Sequence, residues 1–234
     1  MKLFALIIAI AIFMSWYTVH AEEVKVIDTT TPATETTEAP TIVFRDSSEQ
    51  YRMNKKFTAQ WQVVGVGPTG TIQAGLTLGM FLSRNDLVQV EWAHGSNEVN
   101  DNALTTWSIV RATAEGTSVG VNYKHFAGNS FYFKGGVDYR TISYEYNDSW
   151  SPEVYNFKGR GVDASFLIGN QWQWDNFTLG CDWVGITVPL SHEITEEKIT
   201  SSQVGTNSDL KKAEDHYLKN AIAQGLRFYM GLSF

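Results

Sequence analysis

The chain has 234 residues, which is enough for one domain with an appendage. Its formal net charge of -7 argues against a nucleic-acid partner. The single cysteine, Cys181, excludes an intramolecular disulfide framework and zinc sites built from several cysteines.

The N-terminus has the layout of a secretory signal peptide. Lys2 supplies the positive charge, Leu3–Trp16 the apolar core and Val19–Ala21 a small-residue cleavage site, so cleavage is expected after Ala21. The alternative is an uncleaved anchor helix, for which the apolar core is short. Residues 22–55 are rich in Thr, Glu, Pro and Ala. They are expected to form a flexible segment, because such a stretch buries too little apolar surface to offset the entropy of ordering.

Eight segments then alternate apolar and polar residues with a period of two, the pattern of a β-strand with one apolar and one polar face. The predicted strands are Lys56–Val66, Thr71–Leu82, Leu87–His94, Thr117–Phe126, Phe131–Tyr146, Val154–Trp174, Phe177–Val188 and Asn220–Phe234. In the fifth strand the alternation of apolar and polar residues changes near Ile142. This change predicts either a β-bulge or the point at which the strand leaves a membrane. Residues 189–216 are expected to form the longest loop, in which Ser208–Leu218 could be a short helix.

The connections between the predicted strands indicate how the sheet closes. Tight turns at 83–86, 127–130 and 174–176 alternate with connections that are mostly longer. This alternation is typical of membrane barrels, whose sheet must close because lipid offers no partners to strand edges. We therefore predict an all-β fold over 56–234, an eight-stranded antiparallel transmembrane β-barrel with both ends in the periplasm. A soluble β-sandwich or a lipocalin-like barrel would instead place its large apolar residues inside.

The last strand carries a resemblance to a known family. The segment Leu226–Phe234 alternates throughout and ends on an aromatic residue, and strand–turn–strand units such as 123–132 repeat along the chain. In these features residues 56–234 resemble the small outer-membrane barrels of the OmpA, OmpX and OmpW type in Gram-negative bacteria. The resemblance implies an outer-membrane location, contact with outer-membrane lipids and insertion by the barrel-assembly machinery. The expected assembly signal is Phe228, Leu232 and Phe234.

The polar faces of the strands contain equal numbers of acidic and basic residues, which form the candidate site. Eight strands enclose about enough space for side chains to fill, and unpaired buried charge is costly. The charges are therefore expected to pair and to close the lumen. An alternative is a small gated channel or porin-like conduit for small molecules, alone or in a homo-oligomer. The set is Glu91, Lys124, Lys134, Asp138, Arg140, Asp163, Asp182 and Arg227.

The sequence gives little support for catalysis. A lipid-modifying barrel enzyme would need a nucleophile with a histidine base and an acid. His94 and His125 lie at lipid-facing positions, and Ser130 lacks the G-x-S-x-G context of a nucleophile. No metal or cofactor is expected, because the acidic residues of 189–216 match no calcium-loop spacing. We therefore expect a structural or interaction role, in envelope integrity, in surface contact through the loops, or in association with lipid or other barrels.

Overall fold

A computed structural model describes residues 47–101, 110–148, 154–200 and 212–234. Their strands form one closed antiparallel barrel in chain order, with β8 paired to β1. The predicted fold class is therefore confirmed, whereas the signal peptide lies outside the described residues. The strands are β1 (Phe57–Val66), β2 (Gln73–Phe81), β3 (Asp86–Asp101), β4 (Val110–Phe126), β5 (Phe131–Asp148), β6 (Val154–Trp174), β7 (Phe177–Thr200) and β8 (Ile222–Ser233). Helix α1 (Ser48–Met53) precedes β1, and a π-helix (Asp215–Lys219) precedes β8.

The barrel has two unlike ends. The tight turns after β2, β4 and β6 lie at one end, together with α1 and the last residue; we call this the lower end. The connection between β1 and β2 and the π-helix before β8 lie at the other, upper end. None of the described helices is long and apolar enough to cross a membrane.

The observed strands differ most from the predicted strands at the upper end, where several of them are longer than predicted. The prediction of a loop over 189–216 is wrong for 189–200, which continue β7 as a partner of β6, with register shifts at Leu190 and Thr195. Cross-strand ion pairs accompany this polar extension. Lys158 Nζ lies 2.8 Å from Glu196, and Arg160 Nη2 lies 2.7 Å from Glu193. Cross-strand pairs of opposite charge stabilise the pairing of two strands without the burial of an apolar face.

The bulge predicted near Ile142 is absent. This residue stays in register with β4 on one side and β6 on the other, opposite Gly116 and Gly159. Its side chain turns inward and is 2% exposed. The alternation changes because the barrel interior becomes apolar at this height, where Ile142 joins a cluster with Phe157 and Leu218. The alternative that the sequence offered, an exit from the membrane, agrees with this arrangement.

Register shifts occur instead in the β1–β8 pair and along the β6–β7 pair. β1 is irregular around Val64, and β7 has an irregularity at Trp183 relative to β6. Leu226 in β8 has a φ of 52°, in the left-handed region that few non-glycine residues adopt. Such irregularities change the direction of neighbouring side chains, and here Asp182 and Arg227 both face inward as directly paired residues.

The outer surface of the barrel is apolar. Large hydrophobic side chains on all eight strands are between 36% and 66% exposed, whereas the polar face lines the interior. The alternate positions of β6 over 162–174 are apolar and face outward, with the exception of the buried Asn170. At about 3.3 Å per residue and a tilt of about 40°, they span roughly 30 Å, the thickness of a hydrocarbon core. A closed sheet with this distribution is a transmembrane barrel of the outer-membrane type, which excludes the soluble alternatives.

Candidate functional site

The barrel interior contains all eight charged residues that the sequence assigns to the polar face. None of them is more than 5% exposed. Their contacts divide them into two groups along the barrel. The lower cluster, toward the tight turns, consists of Glu91, Lys124, Lys134, Asp182 and Arg227. The upper cluster consists of Asp138, Arg140 and Asp163.

Two bases of the lower cluster each bridge the same two acids. Lys134 Nζ lies 2.6 Å from Asp182 Oδ2 and 3.4 Å from Glu91 Oε2. Arg227 pairs with Glu91 Oε1, and its Nε lies 3.7 Å from Asp182 Oδ2. Gln62 Oε1 accepts hydrogen bonds from Arg227 Nε and Nη2 at 3.1 and 2.6 Å. These contacts form a closed ring of ion pairs that joins strands β3, β5, β7 and β8.

Lys124 lies beside this ring, and among the described residues no carboxylate is within ion-pairing distance of it. Its Nζ donates to Gln171 Oε1 at 2.9 Å and to the Tyr229 hydroxyl at 3.1 Å. The ring centres of Tyr132 and Tyr229 lie 4.2 and 4.7 Å from the same nitrogen. The Tyr132 hydroxyl in turn donates to Asp182 Oδ1. The cation is therefore held by neutral oxygen atoms and aromatic faces.

In the upper cluster, Arg140 joins the barrel wall to the elements that cover the upper end. Its Nε lies 2.8 Å from Asp163 Oδ2, a charge contact without hydrogen-bond alignment. Its Nη1 and Nη2 donate at 3.2 Å to the carbonyl oxygens of Pro68 and Leu218. Pro68 belongs to the connection between β1 and β2, and Leu218 to the π-helix.

The upper end is covered by chain that folds inward. Thr69 and Thr71 are fully buried, with their hydroxyl oxygens 2.7 Å apart, and Gln73 Nε2 donates to Thr69 Oγ1 at 3.0 Å. Above them a cluster of tyrosines packs against the π-helix. This cluster lies beyond the apolar belt, the band of exposed hydrophobic side chains on the outer surface of the barrel. Burial raises the pKa of Tyr144 and of Tyr155 to about 12, so both phenols are neutral at physiological pH.

At the lower end, α1 lies across the mouth of the barrel. The Ser48 hydroxyl accepts a hydrogen bond from Gln173 N at 3.0 Å, and Glu49 N donates to Asn129 Oδ1 at 3.0 Å. Glu49 also pairs with Arg84 at 3.2 Å. This ordered helix differs from the flexible segment expected over 22–55, of which residues 22–46 lie outside the described part of the chain.

Arg52 is the principal attachment of α1. It is 1% exposed, and its guanidinium donates to the carbonyl oxygens of Arg84, Gly128 and Asn129 at 3.0, 3.2 and 2.6 Å. Its Cζ lies 3.9 Å from the ring centre of Phe126. Burial lowers the pKa of Arg52 to about 10, which leaves the side chain charged at neutral pH. One arginine thus connects the N-terminal helix to two of the tight turns.

Replacing Arg52 with alanine should release α1 while the barrel stays folded. Cleavage by chymotrypsin after Tyr51 should become at least about tenfold faster, because a hydrogen bond from a charged donor contributes about 1.5–3 kcal/mol. Arg84→Ala is the matched control, since it removes only an exposed ion pair, worth at most about 1 kcal/mol. Equal cleavage rates for Arg52→Ala and the wild type would show that Arg52 does not hold the helix.

Charged and polar side chains of the two clusters and the two covers occupy the lumen. A cavity in the lower half offers about 10 Å³ to the centre of a water-sized sphere, room for about one water molecule. Its wall contains the whole lower cluster together with Gln60, Gln62, Thr77, Gln89 and Tyr229.

The candidate catalytic residues are separated. His94 Nδ1 lies 2.9 Å from Thr117 Oγ1, and His125 Nδ1 lies 2.8 Å from Asp86 Oδ1, both on the outer face. Ser130 Oγ accepts a hydrogen bond from an asparagine at 3.0 Å. Among the described residues, no hydrogen bond joins either histidine to Ser130. The same part of the chain contains no group of three His, Cys, Asp or Glu residues that could hold a metal ion.

The expected assembly signal lies on the outer face of β8. Phe228, Leu232 and Phe234 are 43%, 57% and 63% exposed. The ring of Phe234 lies 6.2 Å from that of Phe57, where the first and last strands meet at the lower end. The aromatic C-terminus is therefore accessible from the membrane side of the closing pair of strands.

No family model and no curated protein sequence matches the chain. Several solved structures are similar to it. CarO of Acinetobacter baumannii has 14% identity and a TM-score of 0.47, covering 78% of this chain and 98% of that one. Ail, the attachment invasion locus protein of Yersinia pestis in complex with the heparin analogue sucrose octasulfate, has 8% identity and a TM-score of 0.42, covering 77% and 97%. A major outer membrane protein from Thermus thermophilus has 12% identity and a TM-score of 0.49, covering 76% and 99%.

Proposed function

We propose that this protein is an integral barrel of the Gram-negative outer membrane with a closed lumen and a structural or interaction role. The observation that carries the proposal is the filling of the lumen, between two covered ends, by eight charged side chains of which six form ion pairs. Arg140 attaches the upper cover and Arg52 the lower one, while the ring around Lys134 occupies the space between them. A ring of satisfied ion pairs is a barrier to solutes, because moving one member exposes its partners unpaired.

The orientation follows from the connections. Short turns face the periplasm in barrels of this kind, and longer loops face outward. The lower end, with α1 and Phe234, is then periplasmic, and the barrel-assembly machinery would read the aromatic end of β8 there. The apolar belt is the surface that contacts outer-membrane lipids.

The upper parts of β3 to β7 supply the surface for interaction. Beyond the apolar belt their outward side chains are mostly polar or charged, and the pairs of Lys158 with Glu196 and Arg160 with Glu193 are exposed. A rigid sheet that projects from the membrane presents such side chains at lower entropic cost than a mobile loop. Envelope integrity and contact with external partners are both consistent with this arrangement.

The test of the closed lumen is conductance of the purified protein in planar bilayers. We expect no discrete current steps from the wild-type barrel under conditions in which a general porin conducts. Reproducible single-channel steps from the wild-type protein, proportional to its amount, would contradict the closed lumen. Insertion is verified in the same preparation by heat-modifiable gel migration.

A small gated channel is the competing function, alone or in a homo-oligomer. One observation favours it: the cavity of the lower cluster lies inside the barrel and has charged walls. Native mass measurement of the oligomeric state, combined with the conductance test, separates the two proposals. A conducting oligomer would favour the porin-like function.

A further inference from the structure

The lower cluster has a net positive formal charge. It contains three bases and two acids, so its formal charge is 3 − 2 = +1, and all five side chains are buried. The carboxylate oxygens are already occupied. Glu91 uses one oxygen for Arg227 and the other for Lys134, and Asp182 uses one for Tyr132 and the other for Lys134 and Arg227. Lys124 is therefore the base of the lower cluster that has no carboxylate partner among the described residues.

The contacts of Lys124 are those of a cation. Its nitrogen donates to two oxygen atoms and lies over the faces of two tyrosine rings, an arrangement that attracts an ammonium group and has no such preference for a neutral amine. The interior acid that would balance it, Asp138, belongs to the upper cluster, where Ser165 Oγ donates to it at 2.6 Å. Among the described residues, no base lies within ion-pairing distance of Asp138.

The cavity lies where the charge is uneven. Its wall includes Lys124, Lys134 and Arg227, and the two carboxylates in the same wall, those of Glu91 and Asp182, are already paired with Lys134 and Arg227. The space is suited to a single water molecule or a monatomic ion, and excludes a larger polyatomic anion. An unbalanced buried cation beside a cavity of this size is the chemistry of a halide site, since a monovalent anion neutralises the charge locally.

We propose that the lower cluster binds one monovalent halide ion, chloride under physiological conditions, in the cavity beside Lys124. The ion completes the lower cluster to a formal charge of zero and joins the bases of β4, β5 and β8 through one shared counter-ion. It is a structural ligand, enclosed when the barrel closes. This assignment is independent of whether the lumen conducts.

Refolding in defined salts tests the site. The urea-unfolded protein is refolded into detergent in sodium chloride, sodium bromide or sodium gluconate at equal ionic strength, since an enclosed ion exchanges slowly in the folded barrel. We expect the wild-type unfolding temperature to be higher in chloride and bromide than in gluconate, by on the order of 5 °C, and to rise with halide concentration. Gluconate serves as the reference because it is too large for the cavity.

Two variants make the assignment specific. Lys124→Met keeps the length of the side chain without its charge and should abolish the difference between chloride and gluconate. Lys158→Met, which removes an exposed lysine from the outer face, should leave the difference unchanged. Crystals of the wild-type protein grown in bromide should show an anomalous scattering peak within 4 Å of Lys124 Nζ.

The opposite results would overturn the proposal. Equal unfolding temperatures of the wild type in all three salts, or the absence of a bromide peak at the cavity, would mean that water fills it. A halide dependence that persists in Lys124→Met would place the ion elsewhere. If Lys124→Met fails to refold, the bromide peak in the wild-type crystal decides the question alone.

Discussion

Replacing Arg140 with alanine should lower the free energy of unfolding by about 3–5 kcal/mol, because it leaves Asp163 buried with no base beside it. The same change removes the donors that serve the carbonyl oxygens of Pro68 and Leu218, so the upper cover should loosen as well. Urea titration of the barrel in lipid vesicles, followed by tryptophan fluorescence and by heat-modifiable migration, measures both the stability and the fraction folded.

Two further variants separate the charge effect from simple truncation. Arg160→Ala removes an exposed arginine whose ion pair with Glu193 lies on the outer face, and should change stability by less than about 1 kcal/mol. Asp163→Ala combined with Arg140→Ala should be less destabilised than Arg140→Ala alone, since the carboxylate that lost its partner is removed as well. An unchanged stability of Arg140→Ala, with an increase in single-channel conductance, would instead identify Arg140 as the gate of a conduit.

The alternation of residue types was sufficient to predict which side chains face inward. A strand has a period of two whatever its neighbours do, so Lys134 and Arg227 could be assigned to the polar face from local sequence alone. The same parity also places Tyr132 and Tyr229 inside. Their part in holding Lys124 depends on contacts between β4, β5 and β8, which no local pattern reports.

The covers of the barrel could not be predicted in the same way. Helix α1 is one and a half turns long and has no periodic apolar face, and Arg52 bonds only to backbone carbonyl oxygens, which carry no sequence signal. The extension of β7 over 189–200 escaped prediction for a related reason. Its apolar residues, such as Leu190 and Ile194, do not form a continuous alternating face, and its order comes from pairing with β6.

The lumen therefore combines two kinds of polar contact. At each end an arginine donates to backbone carbonyl oxygens of the covering chain, Arg52 below and Arg140 above. Between them, side-chain carboxylates and bases bond to one another around Lys134. A buried arginine with carbonyl acceptors fixes a loop to the wall without requiring an acid from the loop, which explains how covers of different sequence are held by the same barrel.

Asp182→Asn should destabilise the barrel by about 3–5 kcal/mol, a loss comparable to that of Arg140→Ala. The change keeps the size of the side chain and an oxygen for the Tyr132 hydroxyl, but it removes the charge 2.6 Å from Lys134. Three bases of the lower cluster would then face one acid, Glu91. The loss should appear in urea titration as a shift of the midpoint with an unchanged slope.

A double-mutant cycle with Lys134→Met isolates the ion pair from other effects of the substitution. Because Asp182→Asn and Lys134→Met remove opposite charges, the double variant should be more stable than the sum of the two single losses predicts, by about 0.5–3 kcal/mol. Glu196→Gln, which breaks the exposed pair with Lys158, is the control and should have little effect. Strict additivity of Asp182→Asn and Lys134→Met would mean that the ring of ion pairs contributes nothing beyond its separate members. The barrel would then be held closed by its covers alone.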